Sequence, residues 1–349
     1  RATSSTHLGS MKEYTLPKMA AEEASPASTP HRVLALYKFT PLPKDNLTAL
    51  QQELDQELRK FGARGTLLVA TEGINGTICY PFSPSAEKDP VYEYLQGKFD
   101  KLRTRISSYD KAVFARLKIK LKSEIVTMHQ DDVHPRENVG TYVNPEKWNE
   151  LLKDPECMVI DTRNEYEIDV GTFQDAVNPH TQSFVEFPDW MKNNISGQKA
   201  PKKVAMFCTG GIRCEKATNS ALKMVPKDVP VYHLEGGILN YLDSVKPEDS
   251  LYNGECYVFD QRVAVSYGLK PSEKYFTSCH ACRHPLCAED LEHKDFVKGL
   301  SCRWCVDKIT EKQRERFAQR QKQIELAKIN GTVHIHDPKE LKAQKSIQA

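Results

Sequence analysis

The sequence predicts a multidomain chain of mixed α+β and α/β class, and three observations carry that expectation. Over the first third, segments of strand length and helical patterns follow one another in the order βαββαβ. The middle third switches to regular strand–helix alternation, the pattern of a mostly parallel sheet. Five cysteines then fall between positions 279 and 305, ahead of a long polar helix. At 349 residues the chain exceeds one ordinary core, so two or three domains are expected.

The first module opens with Val33-Leu-Ala-Leu-Tyr-Lys-Phe39, a compact apolar run. Leu47, Leu50, Leu54, Leu58 and Phe61 follow at helical spacing, with Asp45 or Asn46 able to cap. Gly65–Ala70 and Thr77–Tyr80 read as a strand pair joined through Glu72–Gly76, a second helix is expected over about 85–98, and Ala115–Val126 supplies a final alternating strand. This order is that of a ferredoxin-like (acylphosphatase-like) sandwich over 32–130. Residues 131–145 are polar, contain His134-Pro135 and Asn144-Pro145, and read as a linker. In the second module, 146–267, strands at Cys157–Asp161, Lys203–Phe207 and Val231–Leu234 are separated by helices near 146–153, 184–194, 214–224 and 236–242. Residues 268–349 hold the cysteine cluster and a polar helix over Lys308–Lys328.

Residues 1–31 read as a tag scar, RATSSTHLGSM, and a disordered leader, AAEEASPASTP. Its acidic Glu13, Glu22 and Glu23 suit neither a signal nor a transit peptide, so a cytoplasmic location is expected. No run approaches the roughly 18 apolar residues of a membrane span, which argues against a membrane partner. Clustered cysteines argue against a secreted disulfide framework and for reduced thiols, one set catalytic and one set metal-binding. The net charge of +2 hides a division: 32–130 carries +5, 131–267 carries −8 and 268–349 carries +5. Basic flanks around an acidic centre suit modules that grip a polyanion.

Chemistry concentrates at VAMFCTGGIRCEKA, residues 204–217. A strand reaches Cys208, then Thr209, Gly210, Gly211 and Ile212 form a loop, and a helix begins at Arg213 and Cys214. The glycines permit backbone N–H groups to turn inward, and the helix start adds its positive end, so the loop forms a nest that favours a thiolate, persulfide or bound oxyanion. Arg213 closes it with a fixed positive charge. It lies five positions after Cys208, one short of the Cys-x5-Arg spacing that wraps a phosphate, and this favours sulfur chemistry. Cys214 is either a resolving thiol or a small packed residue. Asp161 and Arg163, at the tip of a neighbouring strand, suit an ion pair that supports the loop.

Near the C-terminus, Cys279-x2-Cys282 and Cys302-x2-Cys305 are separated by 19 residues, the spacing of a tetrahedral structural zinc site. Cys287, His280, His284 and His293 are nearby substitutes, and iron–sulfur or redox use would look similar. Arg64, Lys98, Lys101, Arg103, Arg105 and Lys216 are candidate RNA contacts. No flavin or nicotinamide fingerprint is present.

The phrases IDTRNEYE, GTF, AVNP and LEGGI around the cysteine loop resemble the signatures of the rhodanese fold. With TEGING at 71–76, KLKSEIV at 120–126 and the paired cysteines, residues 32–310 resemble the rhodanese-domain tRNA uridine hydroxylase family (TrhO type). The resemblance implies oxygen-dependent hydroxylation at C5 of the wobble uridine, with O2 as co-substrate, the tRNA anticodon arm as partner and Cys208 as the essential cysteine. The loop itself points instead to a persulfide-forming sulfurtransferase of the thiosulfate type. A third reading, a non-catalytic RNA-binding protein, is opposed by the intact Cys208–Arg213 loop.

Overall fold

The computed structural model describes residues 30–83 and 85–331, and the leader expected over 1–31 lies almost wholly outside the described residues. The first module contains β1 (His31–Phe39), α1 (Leu47–Lys60), β2 (Arg64–Ala70), β3 (Gly73–Pro81), α2 (Pro90–Phe99), β4 (Arg103–Tyr109) and β5 (Leu117–Leu121). The sheet order is β4-β1-β3-β2-β5, with β5 added parallel to β2 at the edge. Leu34, Leu36, Leu67, Ile74 and Ile78 pack with Leu54, Leu58, Leu95 and Phe99 of the helices. Val33 and Tyr37, on the opposite face of β1, are buried as well. Burial on both faces explains why β1 reads as an apolar run instead of an alternating one.

Two expectations need correction here. The last sandwich strand is β4, while Ala115–Val126 contributes only the extra edge strand β5. The sequence RTRISSY hides β4 because Arg103, Arg105 and Ser107 share the face of Val33 and Tyr37 and meet polar partners there. The hairpin between β2 and β3 is also tighter than expected, with Ala70 opposite Gly73 and only Thr71-Glu72 in the turn.

The second module is a four-stranded parallel sheet, β6-β10-β9-β7, formed by β6 (Thr141–Val143), β7 (Cys157–Asp161), β9 (Lys203–Phe207) and β10 (Val231–Leu234). Between β7 and β9 lie α4 (Glu165–Ile168), β8 (Gly171–Phe173) and α5 (Phe187–Asn194). One side of the sheet is covered by α3 (Pro145–Leu152) and α7 (Gly237–Ser244), the other by α5 and α6 (Ile212–Met224). Trp148, Phe173, Phe207 and Tyr241 meet edge-to-face at 4.7–5.7 Å, filling the first side with rigid rings. The segment expected as a linker is strapped down: Thr141–Val143 is an edge strand, Gly140 N–H donates to Thr218 Oγ1 at 3.0 Å, and Asn219 holds the carbonyls of His134 and Asn138.

After β10 come β11 (Tyr252–Gly254), which pairs with β8, and the small pairs β12 (Cys256–Tyr257) with β13 (Ala264–Val265) and β14 (Thr277–Ser278) with β15 (Pro285–Leu286). The described chain ends in α8 (Ala288–Glu292) and α9 (Glu311–Ile329), the expected polar helix, whose only buried side chains among the described residues are Phe317 and Gln321. Thr310 and Gln313 close a capping box at its start.

Candidate active site

Strand β9 delivers Cys208 to the carboxyl edge of the sheet, where α/β active sites form. Of the two loop glycines only Gly211 has a left-handed backbone, at φ +100°. Gly210 was expected to serve the same purpose, but it has no such conformation, and a side chain there would meet nothing within 4 Å. It forms the open side of the loop. The turn before α7 supports the loop from beneath. Gly237, at φ +64°, lies so close that a Cβ would sit 2.4 Å from the Cys208 carbonyl oxygen, and Ile238 and Leu239 donate backbone N–H groups to the carbonyls of Cys208 and Thr209 at 2.9 and 3.0 Å.

The Cys208 sulfur is buried and accepts the Gly211 N–H at 3.1 Å. Burial opposes its ionisation, but the Cys214 thiol, the Arg213 charge and the N–H groups of Cys214 and Gly211 outweigh it, lowering the pKa to about 6. Cys214 is pushed the other way, well above the ordinary thiol range, by burial and by its position as donor to the Cys208 thiolate. The pair is therefore one thiolate and one thiol. Thiolate ultraviolet absorbance, taken as wild type minus Cys208→Ser, is expected to rise through pH about 6 and be complete by neutrality. A midpoint in the ordinary thiol range of about 8.5 would contradict this geometry.

Arg213 is not a free charge closing the loop. Its two terminal nitrogens each donate at 2.7 Å to Glu167, a fully buried carboxylate, and one also reaches Thr209 Oγ1 at 3.4 Å. Burial opposes the Glu167 charge, yet Arg213 holds its carboxyl below the usual range. Glu167 belongs to α4, whose place is set by the predicted pair Asp161–Arg163. That pair is bidentate at 2.9 and 2.7 Å, and Arg163 also donates to the carbonyls of Glu167 and Gly171. Asp161 and Arg163 thus support the loop at one remove, through Glu167. The sequence signal for Glu167 was its position three residues after Asn164, where its Oε2 accepts the Asn164 backbone N–H at 3.2 Å as in one half of a capping box.

The candidate RNA contacts divide differently from expectation. Lys216 is buried between Glu72 at 2.9 Å and Glu124 at 2.6 Å. Arg103 pairs with Glu215 at 3.2 Å and lies over the Tyr142 ring, while Arg105 pairs with Asp243 and Asn240. These three residues clasp the first module to α6 and α7 instead of facing a ligand. Tyr37 completes the clasp: its hydroxyl donates to Glu215 at 2.8 Å and touches Gly211, 3.0 Å from where a Cβ would lie. Lys98 is paired with Glu53 at 2.6 Å, Arg64 is half-buried and Lys101 is exposed. A sequence of basic residues does not disclose which have acids folded against them.

Cys279, Cys282, Cys302 and Cys305 converge, their sulfurs within 4.8 Å of one another, and could hold a metal ion. Individual edges are 3.8, 3.6 and 3.8 Å. Four sulfurs about 2.3 Å from a tetrahedral zinc would be about 3.8 Å apart, so the donor set fits. Cys287 is not a fifth member, since its thiol donates to Asp290 Oδ2 at 3.1 Å. His284 stacks on Trp304 and His280 packs against Phe317. This module abuts α4, with His284 Nδ1 3.8 Å from Asp169.

Residues 31–125 match the UPF0176 acylphosphatase like domain and residues 144–244 the Rhodanese-like domain. Partial overlaps are found with an As-Sb reductase from Leishmania major (TM-score 0.26, 23% identity, 36% of this chain and 92% of that one). A thiosulfate sulfurtransferase from Pseudomonas aeruginosa overlaps similarly (TM-score 0.25, 11% identity, 36% and 23%). Neither overlap bears on the reaction. Over 311 residues the chain is 49% identical to a tRNA uridine(34) hydroxylase of Rhizobium leguminosarum bv. trifolii (strain WSM2304), covering 88% of this chain and 97% of the relative. The chain accordingly belongs to the tRNA uridine(34) hydroxylase family.

Proposed function

We propose that this protein hydroxylates the wobble uridine of tRNA, replacing the C5 hydrogen by a hydroxyl group with O2 as co-substrate. The observation that carries the reading is the Cys208 thiolate, held by Gly211 N–H and the Arg213 charge in a chain half identical to a tRNA uridine(34) hydroxylase. The base approaches from the Gly210 side, where the loop is open, and Cys208 is the reactive atom. Thr209, Gly210, Gly211 and Ile212 shape the loop, Arg213 stabilises negative charge at the sulfur, and Glu167 positions Arg213. Cys214, a protonated neighbour, serves as resolving thiol: one oxygen atom of O2 enters the C5–H bond and the other oxidises the Cys208 sulfur to a sulfenic acid, Cys214 attacks that sulfur to close a disulfide and release water, and an external thiol reductant restores the pair for the next turnover. Full activity of Cys214→Ala would remove that role. A strain lacking its own enzyme should regain 5-hydroxyuridine in tRNA when given this chain, as read by nucleoside mass spectrometry. Unmodified tRNA would overturn the proposal.

A persulfide on Cys208 is the second reading, favoured by the same N–H donors, and thiosulfate:cyanide turnover would register it. The four-cysteine site we assign to structural zinc, on the 3.6–3.8 Å sulfur edges. One zinc per chain is expected in the purified protein. Its removal by a chelator should unfold the 277–309 module and expose Trp304 further, because such sites are built on the metal more than on apolar burial. Intrinsic tryptophan fluorescence checks this; folded, metal-free protein would refute it. The reaction class and the absence of a membrane-spanning helix among the described residues fit a cytoplasmic enzyme.

A further inference from the structure

Gly211 supplies the N–H that holds the Cys208 sulfur at 3.1 Å, yet a glycine does little to fix its own direction. Its backbone, at φ +100°, is one that side chains rarely adopt, and beside it Gly210 borders open space. The aim of that N–H is therefore enforced by what surrounds the loop. Two groups crowd the Gly211 Cα: the Tyr37 hydroxyl, 3.0 Å from where a Cβ would lie, and the Gly236 backbone, at 3.7 and 3.8 Å. Gly236 belongs to the module that carries the loop. Tyr37 belongs to the other one.

Tyr37 is well placed to act as a rigid stop. Strand β1 lies between β3 and β4, with Tyr37 opposite Asn75 on one side and Arg103 on the other. The side chain is buried, and burial together with the Glu215 charge keeps its hydroxyl protonated, so it is a donor. It donates to Glu215 Oε1 at 2.8 Å, which fixes the direction of the hydroxyl. The Glu215 backbone N–H in turn donates to the Gly211 carbonyl at 3.3 Å. The other groups facing Glu215 are the Tyr142 hydroxyl, which donates to the same Oε1 at 2.8 Å, and Arg103 Nε at 3.2 Å. Glu215 thus collects three donors from two modules, and one of the three also presses on the loop.

We propose that Tyr37 is a positioning residue for the reactive thiolate: its hydroxyl, set against Gly211 by the first module, aims the Gly211 N–H at the Cys208 sulfur. The catalytic loop of the second module is then complete only with the first module docked on it. Thiolate ultraviolet titration of the full chain tests this for wild type, Tyr37→Phe and Tyr142→Phe, each measured against its own Cys208→Ser counterpart. Tyr37→Phe removes one oxygen and keeps the ring. Its midpoint should rise by about one pH unit, because one hydrogen bond to the ionised sulfur weakens while the Cys214 thiol, the Arg213 charge and the Cys214 N–H remain. Tyr142→Phe loses a phenol–Glu215 hydrogen bond of equal length but leaves the Tyr37–Gly211 contact in place, so its midpoint should stay at about 6. A one-unit rise lowers the thiolate fraction about fivefold at pH 6 and by less than about a tenth at pH 8. On the reading of Cys208 as the reacting atom, kcat for 5-hydroxyuridine should follow that profile, with KM for an anticodon stem-loop within about twofold of wild type.

A wild-type midpoint in Tyr37→Phe would overturn the proposal. So would an equal rise in Tyr37→Phe and Tyr142→Phe, since the effect would then run through Glu215 and not through the contact with Gly211. A fall in kcat that is the same at pH 6 and pH 8, with the midpoint unmoved, would reduce Tyr37 to a packing residue of the clasp. A raised midpoint in Tyr37→Phe alone, without any 5-hydroxyuridine from wild type, would keep the positioning role and overturn the reaction instead.

Discussion

Cys208→Ser abolishes 5-hydroxyuridine formation, with single-turnover rates expected to fall by on the order of a thousandfold or more. Serine keeps the size and the hydrogen-bonding geometry of the loop but replaces a group lowered to about 6 by a hydroxyl that stays protonated at neutral pH. The Gly211 N–H would then face a neutral oxygen, and the negative charge that the loop is arranged to hold would be absent. The fold should survive, because Cys208 fills a small buried position that serine also fits, and stem-loop affinity should remain near wild type. That combination separates the chemical step from binding. A serine variant with more than about a tenth of wild-type activity would move the reaction away from this sulfur.

Glu167→Ala carries the largest expected stability change. Glu167 has no exposed surface, and both of its oxygens accept from Arg213. Removing it leaves a buried guanidinium without a counter-ion, a change that costs about 3–5 kcal/mol. The breakage also propagates, because Arg213 lies between Glu167 and the loop and contributes to the low pKa of Cys208. Denaturant titration should show the loss, and the thiolate midpoint should move upward in whatever fraction remains folded. Glu167→Gln retains acceptor and shape but not charge, so its stability loss should be smaller, and with Arg213 still in place but no longer neutralised the thiolate midpoint should move down instead. If Glu167→Ala unfolds at the wild-type denaturant midpoint, the ion pair is dispensable and another element holds the loop.

Much of this fold was legible because burial writes a local pattern. The helix at Leu47–Lys60, the strand ending at Cys208 and the paired cysteines each follow from spacing within about 20 residues of chain. Strand β4 was not legible, since its inward side chains are arginines and a serine satisfied by partners more than 110 residues away. The same reason explains the misreading of Lys216. Nothing in CEKA tells that Glu72 and Glu124 will close around that ammonium.

The sequence by itself determined the cysteine at the strand end, the glycine loop, the converging cysteine quartet and the order of the modules, because those depend on residue type and short spacing. Only the tertiary structure decided which charges are neutralised and which remain available. It assigned Glu167 to Arg213 and turned Arg103, Arg105 and Lys216 into a clasp between the first module and helices α6 and α7. Coulombic pairing is set by distance in space and by exclusion of water, and neither quantity is written along the chain.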